Sequence, residues 1–348
     1  MLESIYWAIT WACNRTCPHC YDERFRPYPA GEGERLTAAA RETARRVVRH
    51  LPESLEFRDL EGEDDRGEFR TRTGRIILSG GEVLLEPTRR LLLYPLLERL
   101  RERYGRGVRL VVQTGGDLLT PAVLEELLER GVWMISVSSI DAFHGGEDRA
   151  AALEERLTAV FAEAGVRPSR LCSEHRRWED EEGPRYSFFG ATPGAWIGKL
   201  WPSGRAWKNG LSTAGWADNF CRNWSGGMNF LNGGWNGSEV AIDPDGNLYP
   251  CCRKTRVPYG NVAEEPLREI LGSLVGLPPF EAISAGVPER MGLSFGIDPP
   301  AFAELSRTVD PAGRPYRNRC IGCDRIHEEH IAPLLARLRR SRKRRRRG

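Results

Sequence analysis

Two absences narrow the field. No stretch of the 348 residues approaches the roughly 20 consecutive apolar residues that a membrane span needs. The N-terminus, MLESIYWAITWAC, has no basic n-region and carries an acid at Glu3, so it reads as a first buried strand and not as a secretory leader. The expectation is a cytoplasmic chain that makes no membrane contact, in a compartment where thiols stay reduced. Nine cysteines there point to metal binding or catalysis more than to disulfides. With 40% hydrophobic residues, the length suits one large α/β domain, alone or with a smaller appendage.

Acid is missing at one end. Residues 337–348, RLRRSRKRRRRG, hold nine Lys or Arg and no Asp or Glu; without them the net charge falls from +3 to −6. The body is therefore mildly acidic. A run of like charges repels itself, and 333–348 is expected to be a disordered basic tail. A solubilising role needs no partner; nonspecific contact with nucleic acid is the alternative.

A fourth thiol is absent too. Residues 11–21 read WACNRTCPHCY, with Cys13, Cys17 and Cys20 in one short loop. Three leave one over for disulfides and fall one short of a closed tetrahedral zinc site. A Cys-x3-Cys-x2-Cys loop can hold three irons of a cubane iron–sulfur cluster and leave the fourth open to a ligand from outside the protein. Zinc completed by His19 is the competing reading of the spacing.

Around this loop the first half alternates strand-like and helix-like segments. IYWAITWA, RIILSGGE, GVRLVVQTGG and VWMISVSSID read as strands, with amphipathic helices after each, the second bent or restarted at Pro95. Strand then helix, repeated, implies a parallel sheet. A hairpin is inserted at 55–75, around an acidic turn. Polar and glycine-rich stretches fall at the strand ends, where parallel α/β proteins build their sites. After about residue 170 the texture changes: 193–237 is rich in Gly, Asn, Ser and Trp, and Cys172, Cys221, Cys251, Cys252, Cys320 and Cys323 all lie in this half.

These features together resemble the radical S-adenosylmethionine (SAM) superfamily. The cysteine loop follows the first strand with Tyr21 behind it, Gly80, Gly81 and Glu82 resemble the family's GGE motif, and QTGG at 113–116 and Ser136 or Ser138 resemble its later SAM contacts. The resemblance implies a partial (β/α)6 barrel over about 1–205, with a [4Fe-4S] cluster on Cys13, Cys17 and Cys20. It also implies SAM against Gly80, Gly81, Glu82, Gln113, Ser136 and Ser138. The GGE motif would meet the methionine amino group. Reductive cleavage of SAM would yield a 5′-deoxyadenosyl radical that abstracts a substrate hydrogen, with a flavodoxin or ferredoxin as electron donor.

Residues 206–332 resemble the SPASM/twitch extension. Gly246 and Cys251 fill its Gly-x4-Cys hairpin, and Cys221, Cys320 and Cys323 would complete one auxiliary [4Fe-4S] cluster, with structural zinc as the alternative. There are too few cysteines for the second auxiliary cluster of a full SPASM domain. Cys172 and Cys252 read as small buried hydrophobes. His19 reads as a packing residue, Asp141 and His144 as facing either cavity or solvent, and the Trp-rich stretch 196–235 as core or lid. Arg205 reads as a partner for a substrate carboxylate or phosphate, or for a surface acid. The reaction expected is oxidation of a small metabolite aided by the auxiliary cluster, because no peptide-recognition segment precedes the first strand. Ribosomal-peptide maturation, RNA modification and a non-catalytic zinc- or cluster-binding interaction protein are the alternatives.

Overall fold

A computed structural model of the chain describes residues 2–347 except 170, 173–176, 179–181, 192–197, 224–226 and 232–236, and only the backbone at 61, 171, 172, 177 and 178. The Cys172 side chain and Trp196, Trp224 and Trp235 of the expected lid lie outside the described residues.

The fold is organised by β1 (Ser4–Thr10), buried along its whole length. Strand alternation sends Ile5, Trp7 and Ile9 into the main core and Tyr6 and Ala8 to the opposite face. Helix α1 (Ala30–His50) packs Ala40, Ala44, Val47 and Val48 into that core. The hairpin β2 (Glu56–Glu63) and β3 (Phe69–Thr73) leads into β4 (Arg75–Gly80). Next, α2 (Glu86–Thr88) widens through a π-turn at Arg89–Leu93 into α3 (Tyr94–Tyr104). The Tyr94 N–H reaches back to the Arg89 carbonyl, so Pro95, which has no N–H, restarts the helix without breaking it.

The pattern continues with β5 (Arg109–Thr114), α4 (Pro121–Glu129), β6 (Val132–Val137), α5 (Glu147–Glu163) and β7 (Arg167–Pro168). Helix α4 starts where the Thr120 hydroxyl accepts from the Val123 N–H and Pro121 supplies a preset φ. A two-residue-per-strand hairpin, β8 (Leu171–Cys172) and β9 (Arg177–Trp178), precedes β10 (Arg185–Phe188).

The strand order β1-β4-β5-β6-β10-β7 is parallel throughout, an open α/β sheet of the partial-barrel kind. It departs from a simple run of six in that β10 lies between β6 and β7, so the last strand in sequence is not the last in space.

The C-terminal half does not stand apart. After α6 (Gly204–Lys208) and α7 (Phe220–Asn223), β11 (Glu239–Ile242) pairs parallel with β1, and β12 (Asn247–Tyr249) and β13 (Gly260–Asn261) extend the same sheet antiparallel. The sheet therefore runs unbroken across the boundary expected near 205. The chain finishes with α8 (Leu267–Gly272), α9 (Pro278–Ser284), α10 (Pro299–Leu305), the hairpin β14 (Arg307–Val309) and β15 (Pro315–Arg317), α11 (Arg319–Ile326) and α12 (Ala332–Arg345). Among the described residues no helix is long and apolar enough to cross a membrane.

The expected disordered tail is instead helix α12. Leu334, Leu335 and Leu338 pack against the core, and acids before and within α8 take up part of the charge. Arg342 is buried with Glu265, donating from Nε at 2.8 Å and from Nη2 at 2.9 Å. Arg346 pairs with the same carboxylate at 3.0 Å, and Arg339 with Glu264 at 2.5 Å. Removing one member of a buried pair leaves the other charge uncompensated. Arg342→Met is therefore expected to destabilise by on the order of 3 to 5 kcal/mol, read as a lower thermal midpoint together with faster tryptic release of the C-terminal helix.

Candidate active site and metal centres

The three-cysteine loop crosses the end of β4 at very short range. The Gly81 N–H donates to the Thr10 carbonyl at 3.0 Å and the Glu82 N–H to the Ala12 carbonyl at 2.9 Å. A Cβ on Gly81 would collide with the Ala12 carbonyl oxygen and stand 2.9 Å from Cys13 Cβ. Only glycine allows this crossing. The Glu82 side chain is buried. Its buried carboxylate accepts from the Leu84 N–H (2.9 Å), the Thr114 hydroxyl (2.8 Å) and the Gly115 N–H (2.9 Å), and burial raises its pKa against those bonds. What the motif offers outward is backbone.

From outside, the loop is gripped by α6. Arg205 donates from Nε to the Cys17 carbonyl (2.7 Å), from Nη1 to the Glu23 carbonyl (3.1 Å) and from Nη2 to the Phe25 carbonyl (2.9 Å), while its own N–H binds the Cys20 carbonyl (2.8 Å). Its partners are backbone carbonyls, and among the described residues no acid pairs with it. A loop tight enough to bring three thiols together turns several carbonyls the same way, and one guanidinium collects three of them. Gly204 permits the approach, since a Cβ there would sit 2.5 Å from the Cys20 and Tyr21 carbonyl oxygens.

Asp141 and His144 face this loop and not bulk solvent. Asp141 Oδ1 is 2.7 Å from His144 Nδ1, and His144 in turn bonds the Cys17 thiol. Burial disfavours the imidazolium, but the Asp141 and Cys17 bonds outweigh it and raise the pKa to about 9. His19 stands edge-on to His144 with ring centroids 4.5 Å apart; burial holds it neutral, with a pKa of about 4, and its Nδ1 has no partner among the described residues. Arg15 locks the rim, donating to the His144 carbonyl at 2.8 Å and pairing with Asp117 at 2.5 Å.

The face of the sheet away from the helices is polar toward the strand ends. The Tyr6 and Ser79 hydroxyls are 2.8 Å apart, the Gln113 amide donates to Tyr6 Oη at 3.4 Å, and Tyr21 Oη lies 3.4 Å from Tyr6 Oη. Gln113 is in register with Ser136, whose hydroxyl meets that of Ser187 at 3.1 Å. Ser138 donates to the Thr114 carbonyl at 3.4 Å. The predicted contacts Gly80, Gly81, Gln113, Ser136 and Ser138 thus share one rim and face, beside the three cysteines. Tyr6, which the sequence reading passed over, is the hub of this chain. Its signal is its parity with Ala8 on a strand whose alternate residues are all apolar.

A second thiol set forms where the C-terminal segments meet. Cys251 and Cys320 pack with Trp201, Ala214 and Phe220, so Trp201 of the expected lid is core. Asn318 caps α11, its side-chain oxygen accepting from the Cys320 N–H at 2.8 Å while its amide holds the Ala214 and Gly215 carbonyls at 3.0 Å. Gly322 lies between the two cysteines because a Cβ would press on Phe302 at 3.1 Å. The hairpin turn has Gly246 at φ +83°, and Asp243 Oδ1 accepts from the Asp245 and Asn247 N–H groups. Burial pushes the thiols of Cys221, Cys251, Cys320 and Cys323 up, Cys251 to about 12; neighbouring thiols add to the rise at Cys221, Cys251 and Cys323, and Asp324 adds to it at Cys320 and Cys323. Cys252 is the odd one, half-buried against Tyr6, Ala241 and Tyr249 on the polar face.

Both sets suit clusters better than single metal ions. Tetrahedral zinc at a Zn–S length of 2.3 Å needs sulfurs about 3.8 Å apart. Among the described residues, the one trio of His, Cys, Asp or Glu ligand atoms within 4.8 Å of one another is His19, Asp141 and His144, so neither cysteine set closes to that spacing. All-thiol donors and the glycine cradle at Gly81 fit iron–sulfur cubanes.

Comparison with known proteins agrees. The radical SAM superfamily model matches residues 7–159, and the SPASM iron–sulfur cluster-binding domain matches 234–275. An AdoMet-dependent heme synthase of Methanosarcina barkeri (strain Fusaro / DSM 804) is 31% identical over 134 residues, 38% of this chain and 30% of that one. The match therefore spans under a third of the curated relative's length. Among solved structures, BtrN in complex with AdoMet and 2-DOIA is similar over 85% of this chain and 90% of its own (TM-score 0.43, 16% identity). Native anSMEcpe with bound AdoMet is similar over 96% and 98% (TM-score 0.41, 13% identity). The chain thus carries a radical SAM domain over residues 7–159 and a SPASM iron–sulfur domain over 234–275, domains that imply [4Fe-4S] clusters, SAM and enzymatic chemistry.

The close crossing at β4 makes a sharp prediction. Gly81→Ala should lower iron bound after anaerobic reconstitution by about four per chain, one cubane, with the second site still loaded; full iron content in the variant would contradict the steric argument.

Proposed function

We propose that Cys13, Cys17 and Cys20 hold the SAM-binding cluster and that SAM lies along the rim formed by the Gly80–Gly81 backbone, Gln113, Ser136 and Ser138. Cys221, Cys251, Cys320 and Cys323 hold one auxiliary cluster, and the reaction is the oxidation of a small metabolite in the cytoplasm. With cluster and SAM bound, the group supplies a 5′-deoxyadenosyl radical that takes a hydrogen atom from substrate.

The chain's own residues bind, orient and shield. Arg205 and Gly204 fix the cluster loop from behind, and Glu82 braces the ends of β4 and β5 so that the glycine backbone keeps its position. The Tyr6–Ser79–Gln113 chain presents hydroxyl and amide groups to a ligand on the polar face, and Asp141, His144 and Arg15 close the rim.

The single observation that carries the oxidative reading is the segment Cys251–Lys254. Cys251 belongs to the auxiliary set, Cys252 packs both against that set and against the polar face beside Tyr6, and Arg253 returns to the auxiliary set. Lys254 Nζ reaches Asp22 of the first loop at 2.6 Å. An auxiliary cluster on this segment is one residue from the face where substrate would lie, close enough to take an electron from a substrate radical. The partial relative named as a heme synthase supports a small-molecule substrate.

Reconstituted protein is expected to bind about eight irons per chain, two cubanes, and to form 5′-deoxyadenosine when reduced with SAM. The Cys13/Cys17/Cys20 triple alanine variant should keep about four irons and form none. Zinc in place of iron would defeat the proposal. Turnover of a peptide and not of a small molecule would move the assignment to peptide maturation.

A further inference from the structure

Arg253 is a guanidinium with no route to solvent, its side chain 5% exposed, set among the auxiliary cysteines. Nη2 donates to Asp324 Oδ1 at 2.8 Å and lies 3.4 Å from the Cys320 carbonyl oxygen. Arg253 follows Cys251 by two residues, and its bond to the Cys320 carbonyl holds the guanidinium between the two segments that carry these thiols. Asp324 follows Cys323 directly, and its carboxylate is shared with Arg256 at 3.7 Å. The ion pair is therefore a fixed dipole.

A buried ion pair of this kind is a poor source of stability, because desolvating both charges offsets most of their attraction. Four thiols could be packed with apolar neighbours, as Trp201 and Phe220 already do. A cation turned toward them has an electrostatic consequence instead. Accepting one electron makes an iron–sulfur cluster one unit more negative, and cluster potentials follow the charges and hydrogen bonds around the sulfurs.

We propose that Arg253 sets the reduction potential of the auxiliary site, its fixed positive charge favouring the reduced form, with Asp324 opposing it. Arg253 is a positioning residue for electrons: it touches neither SAM nor substrate. Its effect makes the auxiliary site a better acceptor, the direction an oxidation needs. The inference rests on the auxiliary-cluster reading above and deepens it.

The test is a mediated redox titration of the reconstituted full-length protein, followed by electron paramagnetic resonance and using the signal that added SAM leaves unchanged. Arg253→Met should shift its midpoint to more negative potential, Arg253→Lys should stay near the parent, and Asp324→Asn should shift it to more positive potential. Opposite signs for R253M and D324N are the signature, since structural damage from either would not reverse direction.

Unshifted midpoints with full iron content, or shifts of the same sign, would overturn the proposal. Should R253M lose its auxiliary iron, D324N and R253K decide alone: D324N without a positive shift overturns it. Absence of a second cluster in the parent protein would instead remove the reading beneath it, and iron analysis before titration separates the two failures.

Discussion

The architecture depends on one crossing, where the backbone from Ala12 to Cys13 lies on Gly81. Everything chemical in the first half is referred to it. The loop hydrogen-bonds to the end of β4 through two N–H groups, the Glu82 carboxylate ties that end to β5, and Arg205 holds the loop from the far side through three carbonyls. Three thiols that must converge on one object need a loop with little freedom of its own. The protein achieves this with backbone contacts, which are indifferent to whatever later binds the sulfurs.

The second constraint is the attachment of the C-terminal half to β1. Because β11 pairs with β1 and the β12 hairpin follows at once, Cys251 and Cys252 arrive at the edge of the polar face without any intervening linker. One sheet thus carries the loop of the first cysteine set and the hairpin that supplies Cys251 to the second. Lys254, at φ +67°, strengthens the connection: its ammonium pairs with Asp22 and lies 4.6 Å from the Trp11 ring, bridging the auxiliary hairpin and the first loop. A left-handed backbone at a non-glycine residue costs roughly 1 to 3 kcal/mol and persists where its surroundings demand it.

How much of this was legible in the sequence follows from the range of each interaction. The strand ends and the cysteine loop were readable because alternation, glycines and cysteine spacing are local. Arg205 was misread because its partners are carbonyls, which leave no trace in residue type. The basic tail was misread because its neutralising acid, Glu265, lies 77 residues before Arg342 and belongs to another element. The insertion of β10 between β6 and β7 is likewise a matter of long-range pairing. Arg253 and Asp324 could have been noticed, each one or two residues from a marked cysteine, but only their convergence gives them meaning.

Burial differs between the two cysteine sets. Cys13, Cys17 and Cys20 are all partly exposed at the sheet's rim, whereas in the second set Cys251, Cys320 and Cys323 are buried and Cys221 alone is partly exposed. Oxygen and chelators therefore reach the first set sooner. With clusters on both sets, as proposed, material handled in air would bleach in two stages, and an aged sample that is still brown would owe its colour to the inner site. Colour alone is a poor guide to competence in this protein.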